Sequence, residues 1–163
     1  MVVLDSSSLI LLAKTGLLDL FLAQLKESPV IPSAVYEEGV KAKRADDAFL
    51  IKERVKDERI LIHQLSDHIL SNKLKHDFNL GLGEAEAIAL CLQNKAVLIT
   101  DDKKAISTCK ILGIEFVTVP NIVVELYRRK IIQKQEAEVV VKKLQLYGRY
   151  SVKIMEKIKE DLL

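Results

Sequence analysis

Five carboxylates stand where apolar runs give way to helix starts: Asp5, Glu38, Glu84 and the adjacent pair Asp101-Asp102. Asp5 follows the run Met1–Leu4, and the Asp pair follows Ala96–Ile99 and Thr100. Short, near-continuous apolar runs of this kind read as parallel strands buried on both faces. In an open α/β sheet, ligands bind just outside the carboxyl ends of the strands, where strand order reverses. Carboxylates gathered there repel one another unless a positive charge lies between them. A hard divalent cation, Mg²⁺ or Mn²⁺, meets that need. The chemistry expected of it is metal-dependent hydrolysis of a phosphodiester.

Each position also has a purely structural use. Asp5 can cap the helix that follows it, and Glu84 and Glu86 can complement the dipole of a helix first turn. Asp101 and Asp102 repeat the context of Asp5, which favours a shared cleft if the two strands are neighbours. Ser7 and Thr100 can orient a carboxylate or a water held by a metal, or act as ordinary caps. Val35 and Glu38 share a helical face at i, i+3 spacing, which would turn Glu38 toward the sheet and leave Glu37 outside. The i, i+2 spacing of Glu84 and Glu86 puts them on different faces, and Glu84, nearer the Gly81–Gly83 loop, is the preferred cleft residue. Lys103 and Lys104 directly follow the Asp pair and are candidates for neutralising a substrate phosphate. The other basic clusters read as solvated helix faces.

The elements that must position these residues alternate. Strands are expected at Met1–Leu4, Val30-Ile31, Arg59–His63, Ala96–Thr100 and Glu115–Val119. Between them lie helices at Ser6–Thr15, with Ser6 or Ser7 as cap, at Leu17–Leu25, Ser33–Ala42, Asp46–Glu58, Ser66–Asp77, Glu84–Gln93 and Lys103–Leu112. Helices at about 121–130, Gln133–Tyr147 and Ser151–Leu163 complete the chain. Such alternation implies a parallel sheet covered on both faces and joined by right-handed crossovers.

With 163 residues the chain suits a single domain. Its 25 Lys+Arg against 23 Asp+Glu neither demand nor exclude nucleic acid. Cys91 and Cys109 lack metal or redox spacing and read as reduced core thiols. His63, His68 and His76 form no zinc pattern, and no P-loop, GxSxG or GxGxxG is present. No signal peptide or membrane span is recognisable, so a cytoplasmic protein is expected.

Taken in order, VVLDSSSLI, VIPSAVYEEGV, GLGEAEAIALC and VLITDDKKA resemble the PIN-domain family of metal-dependent ribonucleases. The resemblance runs over nearly the whole chain. LGIEFVTVPNIVVELYRRKIIQ and YGRYSVKIMEKIKEDLL are similar to the C-terminal helices of one prokaryotic PIN subgroup. It implies an α/β fold, a three-layer α/β/α sandwich with a central parallel sheet of four or five strands, plus C-terminal helices. Residues 1–163 would form one PIN-like domain, with a core of about 1–120 and a helical extension of about 121–163. Asp5, Glu38, Glu84 and Asp102 would be catalytic, with Asp5, Asp102, Asp101 and Glu84 as metal ligands. The family's last motif, Thr-x-Asp, selects Asp102 with Asp101 close behind. Its third motif is usually Asp, where this chain has Glu.

The implied activity is Mg²⁺- or Mn²⁺-dependent hydrolysis of RNA. A role as the toxin of a toxin–antitoxin pair, acting as a homodimer and silenced by an antitoxin protein, is implied by the same resemblance. A haloacid-dehalogenase-type phosphatase would need an Asp where Ser7 stands, and a phosphoacceptor receiver domain would need an acidic pair after the first strand. The competing reading is a PIN-like module that binds RNA or protein without turnover.

Overall fold

The computed structural model describes residues 1–41 and 43–163. Five strands form one parallel sheet: β1 (Val2–Leu4), β2 (Val30–Pro32), β3 (Leu61–His63), β4 (Val97–Ile99) and β5 (Phe116–Val117), in the order β3-β2-β1-β4-β5. The chain builds outward from β1 to β3, then returns to the other side of β1 to place β4. Strand order therefore reverses between β1 and β4. Their register pairs Val3 with Leu98 and Leu4 with Ile99, so residue 5 emerges beside residue 100.

Consecutive strand residues serve opposite cores, as the two-residue period of a strand requires. Val3, Val30 and Leu98 pack with α5 (Ile69–Phe78), α6 (Leu82–Asn94) and α7 (Lys103–Leu112). Leu4, Ile31 and Ile99 pack on the other face with α1 (Ser6–Thr15), α2 (Leu18–Gln24) and α4 (Asp46–Lys56). Helices α8 (Val119–Arg128), α9 (Lys134–Tyr147) and α10 (Val152–Asp161) join that second core through Val123, Leu144 and Ile158. The result is the expected three-layer sandwich with a five-stranded sheet. Cys91 and Cys109 are free and buried, and burial pushes their thiols up to about 12 and about 11. Among the described residues no single helix is long and apolar enough to cross a membrane.

Three local expectations change. The cap of α1 is Asp5, not Ser6 or Ser7. Helix α6 begins at Leu82 with Gly81 as its N-cap, so Gly83 lies inside the first turn. A Cβ on Gly83 would come within 3.1 Å of Val35 Cγ2, which explains a glycine in a helical position.

The segment expected as one helix over Ser33–Ala42 is a single turn, α3 (Ser33–Tyr36), continued by a π-helical turn Glu37–Lys41; Ala42 lies outside the described residues. The wider π turn brings Gly39 and Val40 into the core instead of Glu38. Gly39 lies so close to α1 that an added Cβ would fall 2.8 Å from Ser6 Cβ. Relief there needs backbone movement, because the obstructing atom is itself a Cβ. Gly39→Ala is expected to destabilise the fold by about 1–2 kcal/mol, net of the better helix preference of Ala. A lowered urea midpoint at unchanged slope would report it, and an unchanged midpoint would refute the close contact.

Candidate active site

Asp5 leaves β1 at the reversal point and is almost wholly buried. Its backbone N–H donates to Ile99 O at 3.2 Å, which continues the sheet pairing. Its side chain is held from several directions. Ser8 N–H donates to Oδ1 at 2.8 Å, the Ser7 hydroxyl donates to the same oxygen at 3.0 Å, and the Thr100 hydroxyl donates to Oδ2. Thr100 is buried and accepts the N–H of Asp102 at 3.2 Å, which leaves its own proton for Asp5. Even so, burial holds the Asp5 carboxyl above its ordinary value. The hydrogen bonds from Thr100, Ser8 and Ser7 only partly counter the loss of water.

Asp101 and Asp102 diverge at the end of β4. Asp102 caps α7, its Oδ1 accepting the N–H groups of Lys104 at 2.8 Å and Ala105 at 2.9 Å. Among the described residues its other oxygen has no hydrogen-bond partner, so a cap on one oxygen leaves the second for a ligand. Asp101 turns the opposite way. Its Oδ1 accepts from Tyr150 Oη at 2.7 Å, and its Oδ2 from Val119 N–H at 3.1 Å and Ser8 Oγ at 3.3 Å. Asp101 was expected beside Asp102 as a metal ligand. Here both its oxygens are engaged by donors from three other segments, and it serves as a tether. Burial raises its carboxyl too, against those same hydrogen bonds.

Glu84 is the third residue of α6, and its Oε2 accepts the N–H of Gly81 at 2.9 Å. Burial raises its carboxyl; the charges of Asp102 and Asp5 raise it further, while Lys104 lowers it. Three carboxylates from β1, α6 and the start of α7 thus share one electrostatic neighbourhood. Glu86, two residues on, is buried elsewhere: it accepts Ala34 N–H at 3.3 Å and lies 3.4 Å from His68 Nδ1. That contact satisfies a free amide at the start of α3.

Glu38 is exposed, as is Glu37, which pairs with Lys41 at 2.9 Å. The face-sharing argument from Val35 fails because a π turn does not keep i, i+3 spacing. Lys103 and Lys104 are exposed; Lys104 Nζ donates to Asn79 O at 3.2 Å, close enough to Glu84 to act on its charge.

Beside Asp101 and Asp102 opens a groove of about 350 Å³ between α1 and the segment Tyr147–Tyr150. Tyr150 and the groove residues of this segment carried no site signal of their own in the sequence. The one available hint was Gly148, a helix-ending glycine followed by two residues able to bind an anion or donate to one.

A family model described as a PIN domain matches residues 1–162. The chain belongs to the PIN-domain family. Comparison with curated proteins and with solved structures gave no significant match. PIN domains are generally nucleases and typically use divalent metals.

The fit of such an ion can be judged from the donors. They are hard carboxylate oxygens, as Mg²⁺ and Mn²⁺ require, and they are mutually repulsive and partly desolvated. No group of three or more acidic, His or Cys side chains among the described residues is drawn together in coordinating geometry. The donor set suits the ion in kind, and binding would have to draw these side chains together.

The raised carboxyls carry a definite pH signature. A carboxyl whose folded value lies above its unfolded value adds stability at low pH, and that contribution is lost as pH rises through the folded value. Asp5→Asn removes one such group. The melting-temperature difference between Asp5→Asn and wild type, both metal-free, should therefore shift in favour of the variant as pH climbs from about 4 to 7. A difference independent of pH would contradict the burial of a charged Asp5.

Proposed function

We propose that this PIN domain is a metal-dependent ribonuclease that hydrolyses RNA phosphodiester bonds. The observation that supports the reading is that Asp5, Glu84 and Asp102 lie close enough to act on one another's charge where strand order reverses, each carboxyl oriented by hydrogen-bond donors. Asp5, Glu84 and Asp102 would hold the ion, with Glu38 at the exposed rim as a further catalytic candidate. A bound Mg²⁺ or Mn²⁺ supplies Lewis acidity, lowering the pKa of an attacking water and offsetting charge on the phosphoryl oxygens.

The chain's own residues do the rest. Ser7 and Thr100 hold Asp5 in one orientation, so that its position is set before substrate arrives. Asp101 fixes the direction in which β4 gives way to α7, and through it the place of Asp102. Lys104, beside Glu84, and Lys103 offer positive charge to the phosphate backbone. The toxin role, an antitoxin partner and a homodimer are implied by the sequence resemblance alone, and a cytoplasmic location is proposed from the sequence reading.

Incubation of labelled single-stranded RNA with Mn²⁺ tests the reading. Cleavage should vanish with EDTA and fall by on the order of 100-fold or more in Asp5→Asn, Glu84→Gln and Asp102→Asn. Asp101→Asn, which keeps acceptor capacity on one oxygen, should lose less. Cleavage that persists equally in wild type and Asp5→Asn would sink the assignment. RNA binding without cleavage in any of them would favour the binding-module reading.

A further inference from the structure

The groove beside the Asp pair has two unlike banks. One is a single face of α1, on which Ser7, Ile10 and Lys14 succeed one another at i, i+3 and i+7, about 10 Å along the helix. The other is the end of α9, Tyr147, and the turn that follows it before α10, with Arg149 and Tyr150. Lys14 Nζ lies 5.7 Å from the centroid of the Tyr147 ring, and Tyr147 as a residue is 48% exposed. Among the described residues neither Lys14 nor Arg149 forms an ion pair, as is true of most Lys and Arg side chains of this chain, and both are exposed beside the groove.

The turn is built to hold its shape. Tyr150 folds back over Gly148 so closely that a Cβ there would fall 2.2 Å from Tyr150 Cε2, and its hydroxyl is fastened to Asp101. Arg149 sits between these two anchored residues, so its backbone is pinned beside the groove. Beyond Tyr147 the surface turns acidic, with Asp46 and Asp47 lining the next depression together with Lys14 and Tyr147. Phosphates would be repelled there, which confines a bound strand to the stretch between the Asp pair and Tyr147.

Carboxylates at one end, two unpaired cations along the path and a solvent-facing aromatic ring at the far end match the needs of an unpaired nucleic-acid strand. Cations track its backbone, and an aromatic face stacks a base that is free of a duplex. The geometry points to Lys14, Arg149 and Tyr147 as a subsite for single-stranded RNA, in which Lys14 and Arg149 take the phosphates next to the scissile bond and Tyr147 stacks the following base. This inference rests on the ribonuclease reading and names the path of its substrate. Lys103 and Lys104 would flank the acidic cluster on its other side.

Binding can be separated from cutting by measuring anisotropy of a labelled single-stranded RNA in EDTA, across a salt series, on the full chain. Lys14→Ala and Arg149→Ala should each weaken binding about 5- to 10-fold and reduce the salt slope by about one. Tyr147→Ala should weaken it about 10-fold with the slope unchanged, and Tyr147→Phe should restore it. Double-stranded RNA should compete poorly. If wild type binds RNA and all three alanine variants bind as tightly, the subsite is wrong while the ribonuclease reading stands. Weakening by Lys103→Ala and Lys104→Ala alone would likewise place the strand on the other side. If wild type neither binds nor cuts RNA, both readings fall and the groove is left to a peptide.

Discussion

Everything at this site depends on keeping a carboxylate out of water between two neighbouring strands. Asp5 follows β1 directly, and the register of β1 with β4 puts Thr100 beside it. Desolvating a charge is costly unless donors replace the lost water. The chain supplies them from what lies nearest: the first turn of α1, whose N–H groups have no intrahelical partner, and the hydroxyl of the residue across the seam. The same Thr100 hydroxyl accepts the amide of Asp102, so the start of α7 is bound to the orientation of Asp5. One buried group thereby couples two strand ends and two helix starts. The remaining cost, visible as a raised carboxyl, is what a cation would relieve.

Most of this frame was legible in the residue order. Apolar runs bounded by Pro, Gly and acids located all five strands within a residue or two; β1, β2 and β4 are buried and have few alternative readings, while β3, exposed at the sheet edge, is marked by its short apolar run alone. Asp5 and the Asp101-Asp102 pair could be placed for a related reason: residues that follow a strand end have little freedom. The failures share a different cause. The direction in which Glu38 faces depends on whether a helix continues as α or π, and the π turn seats Gly39 against Ser6, a contact that spacing does not reveal. Two glycines suggest a loop where the first turn of α6 lies, whereas Gly83 lets Val35 approach the helix. Glu84 and Glu86 could be assigned to different faces from spacing, but the partner of Glu86 on α3 lies 52 residues away.

The Asp pair is the clearest case of information held in contacts and not in spacing. At the end of a strand, successive side chains point to opposite faces of the sheet. Asp102 falls on the side of α7 and Glu84; Asp101 falls on the side of α1, α8 and the last turn. Two adjacent carboxylates that look interchangeable in the sequence therefore have different partners. Asp101 looks like a ligand because its tethers are distant, Tyr150 standing 49 residues along the chain.

That division ties the C-terminal helices to the acidic cluster. Helices α8 to α10 contain no strand and add nothing to the sheet, yet both ends of their contact with it meet at Asp101: Val119 N–H opens α8, and Tyr150 precedes α10. A hydrogen bond to an ionised acceptor is worth roughly 1.5–3 kcal/mol, and its loss leaves a partly buried charge without a partner. The carboxylate thus favours one placement of the last turn. It also opposes any shift of β4's end that would carry Asp102 away from Asp5 and Glu84. The same Asp101 that sets the direction of Asp102 sets the wall of the groove in front of it. The arrangement of the acidic cluster and the shape of the groove beside it are consequently one structural variable.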